Sequence, residues 1–234
     1  MRTIALVIPV YNEAGQLQEL VDHITHLQGF DEAVFIDASD TLKSQQEFQR
    51  ITERFEGQSA FRFESVARPE RASQMNHGAN ISGSEVLLFL HCDTRLPGQA
   101  AQLINQCLQQ GFRWGRFDVR LDSDKSSLKL VAFMINQRSR WRRLATGDQA
   151  IFIERKLFEE IGGYTRMAIM EDIDFSAKLK SYPPALIADP VITSARRWIQ
   201  HGVWRTVFKM WCMRFAFWLG VEPDRLNRWY RNAR

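Results

Sequence analysis

Residues 4–13, which read IALVIPVYNE, decide the fold because an apolar run passes directly into a polar turn. An apolar run of this length is typical of a strand buried on both faces of a parallel sheet. Residues 13–27 then predict a helix, since their apolar residues recur three and four positions apart. In open α/β sheets ligands bind where strands end and helices begin. The turn that contains Pro9, Tyr11 and Glu13 is therefore a candidate ligand-binding edge.

Strand and helix alternate through the first half of the chain. Apolar runs predict strands near residues 3–9, 33–37, 61–66 and 86–91, and helical periodicity predicts helices over 41–55 and 71–81. The second half predicts a helix over 99–110, a strand over 114–121, another strand within 146–153 and a helix over 155–161. This pattern favours an α/β fold with a mixed, mostly parallel sheet flanked by helices.

Two of the later strands also end on acidic residues. Asp37 closes the second strand, and Asp93 follows the fourth, two residues after His91. Because Mg²⁺ and Mn²⁺ prefer hard oxygen ligands and share their shell with substrate phosphates, Asp93 is a candidate metal ligand. Strand alternation places His91 on the same side as a second candidate. Capping of the following turn or helix is the alternative for Asp93 and for Asp37.

A further acidic cluster, Glu171-Asp172-Ile173-Asp174, opens a predicted helix. Acids in a first helical turn complement the helix dipole, which is one explanation of the cluster. Crowded carboxylates also raise one another's pKa, and this makes one of them usable as a general base. Asp172 is the first candidate and Glu171 the second. Arg71, at the start of the third predicted helix, is a candidate phosphate clamp.

Composition limits the classes of partner. The net charge of +4 is modest and no base-reading motif accompanies the Lys and Arg residues, so we expect no nucleic-acid partner. Three cysteines without paired spacing fit a reducing compartment, and we expect a cytoplasmic location. The first apolar run is short and ends at Pro9, so we expect a core strand there and not a secretory signal or a membrane span.

Residues 196–234 differ from the rest because aromatic and basic residues interleave, and five of the seven tryptophans lie there. This pattern predicts an amphipathic helical extension. Most amphipathic helices bury their apolar face in protein, which here means the domain itself or a second copy of the chain. The alternative is a helix that lies in a membrane interface, which would place the protein at the inner face of the membrane.

In order and spacing, the motifs of this chain resemble the family 2 glycosyltransferases of the GT-A fold. The resemblance covers residues 1–180 and is carried by the turn at 9–13, Asp37, residues 91–93 and the pair Glu171-Asp172. Three further stretches, at 71–79, 146–149 and 194–198, are similar to the subgroup called rSAM/selenodomain-associated glycosyltransferases.

The resemblance implies transfer of a sugar from a nucleotide-sugar donor to an acceptor hydroxyl, with inversion at the anomeric carbon and with Mn²⁺ or Mg²⁺ as cofactor. It implies a GT-A-like catalytic domain at 1–195, with a nucleotide-binding half at 1–95 and an acceptor half at 96–195, followed by the extension at 196–234. By that resemblance Asp93 binds the metal, Asp172 is the general base, Arg71 positions the donor, and Pro9, Tyr11, Glu13 and Asp37 hold the nucleoside. From the residues alone we expect His91 as a second metal ligand and Glu171 as the second candidate for the base. The acceptor half offers three further substrate-binding candidates: Gly147, Asp148 and Gln149.

Two other functions are compatible with the sequence. A nucleotidyltransferase has a similar sheet and binds a nucleoside phosphate through a metal, but it usually has a glycine-rich turn after the first strand, and here the first glycine is Gly15. A non-catalytic nucleotide-binding module is the other alternative. The pair Glu171-Asp172 argues against it, because a pure binder needs no base.

Overall fold

Eight strands form one mixed sheet in residues 1–232, the part of the chain that the computed structural model describes. They are β1 (Ile4–Val10), β2 (Glu32–Asp37), β3 (Phe61–Ser65), β4 (Val86–Phe89), β5 (Thr94–Arg95), β6 (Trp114–Leu121), β7 (Phe152–Glu154) and β8 (Ala185–Thr193). Their order across the sheet is β3-β2-β1-β4-β7-β6-β8-β5. The pairs β1–β2, β1–β4, β2–β3 and β6–β8 are parallel, whereas β7 runs antiparallel to both of its neighbours. The predicted α/β fold with a mixed, mostly parallel sheet is confirmed.

β1 is central, and its alternate side chains point to the two faces of the sheet. Leu6 and Ile8 lie in one core cluster, and Ala5 and Val7 lie in the other. Because strand residues alternate in direction, one apolar run supplies both cores. In the register of the sheet Val10 lies opposite Asp37, so the turn after β1 and the loop after β2 leave the sheet side by side.

Helices cover both faces of the sheet. One face packs against α1 (Gln16–Thr25), α2 (Leu42–Arg54) and α4 (Ala100–Gln109), and the other against α3 (Arg71–Ile81), α6 (Arg155–Glu160) and α7 (Glu171–Lys178). Full burial of a Leu, Ile or Phe side chain contributes about 1.5–3 kcal/mol. The two clusters therefore hold the ends of β1, β2 and β4 in fixed positions, and the candidate site is built on those ends.

Two predicted strands are shorter than expected, and both differences affect the site. β4 ends at Phe89 and not at residue 91, because a turn follows in which the Thr94 amide donates to the His91 carbonyl at 3.1 Å. The predicted strand at 146–153 begins only at Phe152. A 3₁₀ turn occupies Gly147–Gln149, closed by a reciprocal cap between Thr146 and Gln149, and Ala150 then takes a left-handed conformation with φ 46°.

A long helix, α5 (Ser126–Arg142), was not predicted. Its buried residues, such as Leu128 and Val131, do not form a distinct stripe, because large apolar residues also occupy its exposed face. That exposed set consists of Leu130, Phe133, Met134 and Trp141. Apolar residues on both faces remove the 3.6-residue periodicity from which a helix is predicted.

The C-terminal segment folds into three helices, α8 (Arg196–His201), α9 (Val203–Trp218) and α10 (Pro223–Asn232), and residues 233–234 lie outside the described part. α9 packs against α5 through Val203 and Val207. Further along, Met213 of α9 and Leu226 of α10 pack against Met170, the residue before α7. The extension is helical as predicted, while the division of the chain into domains stays a prediction.

We expect Gly78→Ala to lower the free energy of unfolding by about 1–2 kcal/mol. An added Cβ would lie 2.6 Å from Val7 Cγ1 and 3.3 Å from Ile36 Cγ1, both on central strands that cannot move aside. The matched control is Gly83→Ala, whose Cβ meets open space. Urea denaturation of both variants measures the difference, and equal stabilities would contradict the packing of α3 on the sheet described here.

Candidate active site

The side chain of Asn12 joins the turn after β1 to the loop after β2. Its Oδ1 accepts from the backbone amides of Asp40 at 3.2 Å and Thr41 at 3.1 Å, and the backbone amide of Asn12 donates to Ser39 Oγ at 2.8 Å. Asn12 has φ 56°, a left-handed conformation that asparagine tolerates better than most residues. These bonds fix the relative positions of the two loops that begin at the predicted nucleoside-binding residues.

Three of the residues predicted to bind the nucleoside lie at this edge. The Tyr11 hydroxyl donates to Asp40 at 3.0 Å, and the Pro9 carbonyl accepts from the Cys92 thiol at 3.7 Å. Asp37 is 3% exposed and accepts from the Ser39 hydroxyl at 2.6 Å. Burial raises the pKa of Asp37, and the bonds from Ser39 oppose that shift. The edge thus presents an aromatic ring next to a buried carboxylate.

Glu13 and Asp93, predicted on two different strand ends, lie close together. Burial raises the pKa of Glu13, and the carboxylate of Asp93 raises it further. The positive charges of Arg196, Arg71 and Arg197 act in the opposite direction. These two carboxylates and three guanidinium groups interact electrostatically at the C-terminal edge of the parallel strands, and we call the region between them the cleft.

Arg71 connects this cleft to the second acidic cluster. Its Nη1 lies 3.4 Å from Oε1 of the buried Glu171. Burial by itself lowers the pKa of Arg71, but the charges of Glu171, Asp172 and Asp93 raise it above its usual value. Arg71 therefore interacts with carboxylates on both sides of the cleft. Acidic residues that are far apart in sequence meet around one cation.

Asp172 is held by backbone amides. Its Oδ2 accepts from Gly147 at 3.1 Å, and its Oδ1 accepts from Ile173 at 2.8 Å. Burial, and then the charge of Glu171, raise the pKa of Asp172 to about 6, although the two backbone bonds and Arg71 lower it. A carboxylate with this pKa accepts protons more readily than an ordinary Asp and is still largely ionised at neutral pH.

His91 does not lie on a strand, so the alternation argument that paired it with Asp93 is wrong. The edge of its ring faces Gly147, where an added Cβ would come within 2.6 Å of His91 Cε1 and Nε2. Burial, and then the charges of Arg71 and Arg197, hold the pKa of His91 well below its usual range. The imidazole is therefore neutral, which is also the form that binds metals.

The fit of this cleft to a divalent cation rests on Glu13 and Asp93. Their mutual repulsion, visible in the raised pKa of Glu13, is the kind that a cation relieves. Within residues 1–232 no group of three or more His, Cys, Asp or Glu side chains is placed to hold a metal. Such an ion would thus depend on substrate oxygens for most of its shell, as Mg²⁺ and Mn²⁺ commonly do.

The last three predicted substrate-binding residues form the turn 147–149, and they occupy different positions. Gly147 touches both His91 and Asp172, as described above, and Asp148 is partly exposed beside it. Gln149 is fully buried, and its side-chain oxygen accepts from the Thr146 amide at 3.2 Å. Gln149 therefore stabilises the turn and does not face the cleft.

Four residues at the site were not predicted to act there. Arg196 and Arg197 were noted only as part of the stretch 194–198, and their place near Glu13 depends on how α8 docks. Tyr230 of α10 lies 5.7 Å from the Arg197 guanidinium. Arg138 lies on α5, the helix that the sequence did not predict. Burial lowers the pKa of Arg138, and the nearby charges of Asp148 and Asp172 oppose that shift.

Comparisons with known proteins agree on one family and one fold. Residues 5–162 match the model of Glycosyl transferase family 2. The mannosyltransferase PcManGT from Pyrobaculum calidifontis, solved in complex with GDP-Man and Mn²⁺, superposes with a TM-score of 0.61 and 18% identity over 82% of this chain and 56% of that one. TarS 1–349 from S. aureus gives a TM-score of 0.63 and 12% identity over 82% of this chain and 60% of that one. This chain therefore spans less than two thirds of either protein. No curated protein matches significantly in sequence.

We expect Asp172→Asn to stabilise the protein more at pH 8 than at pH 4. The folded-state pKa of about 6 lies above the ordinary value of 3.8, so the folded state binds more protons than the unfolded state between these pH values. Stability therefore falls as pH rises towards 6, and the cost is complete above it. Thermal unfolding at both pH values measures the effect. Asp124→Asn, on a fully exposed carboxylate, is the control, and an equal change with pH in both variants would contradict the assignment.

Proposed function

The chain belongs to glycosyl transferase family 2, and on that premise we propose that it transfers a sugar from a nucleotide-sugar donor to an acceptor hydroxyl, with inversion at the anomeric carbon. The family match confirms the predicted family, and the superpositions confirm the predicted GT-A-like fold. The rSAM/selenodomain-associated subgroup and the roles of individual residues stay predictions.

One observation supports this function above the others: Arg71 lies between the carboxylates of Glu13 and Asp93 on one side and those of Glu171 and Asp172 on the other. Sugar transfer needs a base for the acceptor and positive charge for the departing diphosphate, within one sugar's width of each other. A binding module needs no base. The arrangement is therefore better suited to transfer than to binding alone.

In this proposal Asp172 removes the proton from the acceptor hydroxyl. A hydroxyl is a weak nucleophile until a positioned base takes its proton as the new bond forms. The bonds from Gly147 and Ile173 fix the orientation of the carboxylate, so little reorganisation is needed during the reaction. Glu171 is less suited to be the base, because it is 6% exposed and paired with Arg71.

The diphosphate of the donor would lie beside Asp93. Arg71, Arg196 and Arg197 converge there and suit an anion that gains charge as the sugar leaves. Asp93, with His91 as a second ligand, would hold Mn²⁺ or Mg²⁺ together with the phosphate oxygens, and the bound ion would neutralise charge on the leaving group. PcManGT, which carries GDP-Man and Mn²⁺, supports a nucleotide sugar and a divalent ion as ligands.

The nucleoside would bind at the edge formed by Pro9, Tyr11 and Asp37. The Tyr11 ring offers a surface for stacking, and the Asp37 carboxylate accepts hydrogen bonds from a base or a ribose. Gly147 and Asp148 lie on the other side of Asp172, where an acceptor would enter.

We expect Asp172→Asn and Asp93→Asn each to lower sugar transfer by roughly a hundredfold or more. Asp172→Asn should retain donor binding, whereas Asp93→Asn should also lose its response to added Mn²⁺.

Wild-type transfer should decline below pH 6, since a protonated Asp172 cannot act as a base. The assay is mass-spectrometric detection of product from a panel of nucleotide sugars.

Asp124→Asn serves as the control for this assay as well, because its carboxylate is fully exposed. Near-normal transfer by the Asp172 or Asp93 variant would remove that residue from its proposed role. Preferential reaction with a nucleoside triphosphate would favour a nucleotidyltransferase, and donor binding without turnover would favour a binding module.

We further propose that α9 contacts an anionic membrane surface. Its outward face is formed by large apolar residues that are between 56% and 78% exposed: Trp204, Phe208, Trp211, Phe215, Trp218 and Leu219. Residues 196–234 also carry nine of the 31 Lys and Arg residues but two of the 27 Asp and Glu residues. Tryptophan with basic residues is typical of helices at a lipid interface, and the basic excess complements anionic headgroups. Within residues 1–232 no helix is both long and apolar enough to span a bilayer.

We expect the protein to co-sediment with vesicles of phosphatidylcholine and phosphatidylserine and much less with phosphatidylcholine alone. The double variant Trp211→Ser and Phe215→Ser should lose this binding without a change in thermal stability, because both side chains are exposed. Leu42→Ser, which removes a side chain 70% exposed on α2, is the control. A dimer that the double variant dissociates, or vesicle binding that it leaves intact, would contradict the membrane contact.

A further inference from the structure

Unsatisfied polar atoms are concentrated beside Asp172. Across residues 1–232, five buried side-chain nitrogen or oxygen atoms lack a hydrogen-bond partner. Three of them belong to two residues, Nε and Nη2 of Arg138 and Oδ1 of Asp148. Buried polar groups are nearly always paired, so such a concentration calls for a partner that the chain does not itself supply.

Arg138 differs from its neighbours on α5. Arg140, two residues along, donates to Asp118 at 2.5 Å, and Arg116 of β6 is paired with the same carboxylate. Arg138 forms no hydrogen bond and no ion pair with any residue in the described part of the chain. Burial lowers the pKa of Arg138, and the charges of Asp148 and Asp172 oppose that shift. Arg138 and Asp148 are each partly exposed as residues, whereas their three unpartnered atoms are buried.

The charges around Arg138 indicate which kind of ligand it takes. An isolated guanidinium would favour a phosphate or a carboxylate. Here an anion would also face the carboxylates of Asp148 and Asp172, and like charges repel. A neutral group that donates and accepts at once avoids this cost. Neighbouring hydroxyls on a sugar ring do both, since each has one hydrogen and two lone pairs.

We propose that Arg138 and Asp148 form a sugar-binding subsite that holds two neighbouring hydroxyl groups next to Asp172. One hydroxyl donates to Asp148 Oδ1, and the ring's hydroxyl oxygens accept from Arg138 Nε and Nη2. The subsite rests on the proposed function, and it adds a specificity determinant to it. The charges of Arg196 and Arg197 act on Glu13, whereas Arg138 interacts with Asp148 and Asp172, so we assign Arg138 to the sugar and not to the leaving group.

The diol belongs either to the transferred sugar or to a sugar acceptor, and the experiment separates these sources. The variants are Arg138→Met, Arg138→Lys, which keeps the charge but not the planar fork, and Asp148→Asn. Arg142→Met, on an exposed residue of the same helix, is the control. Calorimetry with Mn²⁺ compares UDP with UDP-glucose and GDP with GDP-mannose. Donor hydrolysis and transfer to methyl glucoside and methyl mannoside are then measured.

If the diol is on the transferred sugar, each variant binds the bare nucleotide normally and the nucleotide sugar about ten- to a hundredfold more weakly. If it is on the acceptor, donor binding and donor hydrolysis stay normal and the acceptor KM rises by a similar factor. In either case the wild-type enzyme should prefer the complete sugar over the same sugar without one of the two hydroxyls. Arg138→Met should show no such preference. The Arg142 variant should behave as wild type.

Three results would overturn the subsite. One is an Arg138→Met enzyme that transfers normally, and another is a variant whose only change is a shifted pH profile. The third is wild-type selectivity for glucuronate or a sugar phosphate as acceptor that Arg138→Met abolishes, because this would make Arg138 an anion site. A wild-type chain that binds no nucleotide sugar overturns the proposed function itself, whereas normal wild-type transfer with an unaffected variant overturns the subsite alone.

Discussion

Negative charge gathered at one edge of the sheet is the constraint on which the site depends. Glu13, Asp93, Glu171 and Asp172 come from three segments, and the strand ends and α7 bring them together. Two like charges 4 Å apart repel by about 4 kcal/mol at the effective dielectric of a protein surface. Arg71 interacts with members of both groups, and so it makes the folded arrangement tolerable. This balance of carboxylate and guanidinium charges leaves a region of the cleft that a cation and an anionic substrate can occupy together.

The C-terminal helices contribute residues to the candidate site and also form part of the protein surface. The family match ends at residue 162, but Arg196 and Arg197 supply positive charge beside Glu13 from beyond that boundary. Met213 and Leu226 pack against Met170, which has φ 70° and begins α7 directly before Glu171. A left-handed conformation in a non-glycine residue costs free energy, and surrounding contacts must maintain it. The inner side of α9 and α10 therefore helps to hold Asp172, the candidate base, in position, while the outer face of α9 is apolar.

Much of the fold and part of the site could be predicted from sequence, for physical reasons that particular residues illustrate. β1 and α1 have strong periodicity, and the acids at strand ends must share an edge once the strands are parallel. Arg138 could not be found, because α5 carries apolar residues on both faces and so has no helical stripe. The structural contact of Gln149 could not be predicted for a different reason: a polar residue in a turn motif can close the turn or bind a ligand, and the sequence alone does not separate the two.

The position of His91 is a further feature of the site that the sequence did not predict. Its ring edge fills the space where a side chain at position 147 would be, so that position requires glycine, and the Gly147 amide can then approach Asp172. His91 thus packs against the turn whose Gly147 amide donates to Asp172, the proposed base. From sequence His91 resembles half of a metal motif, because it stands two positions before Asp93. In the structure it also links the end of β4 to the turn that holds the Asp172 carboxylate.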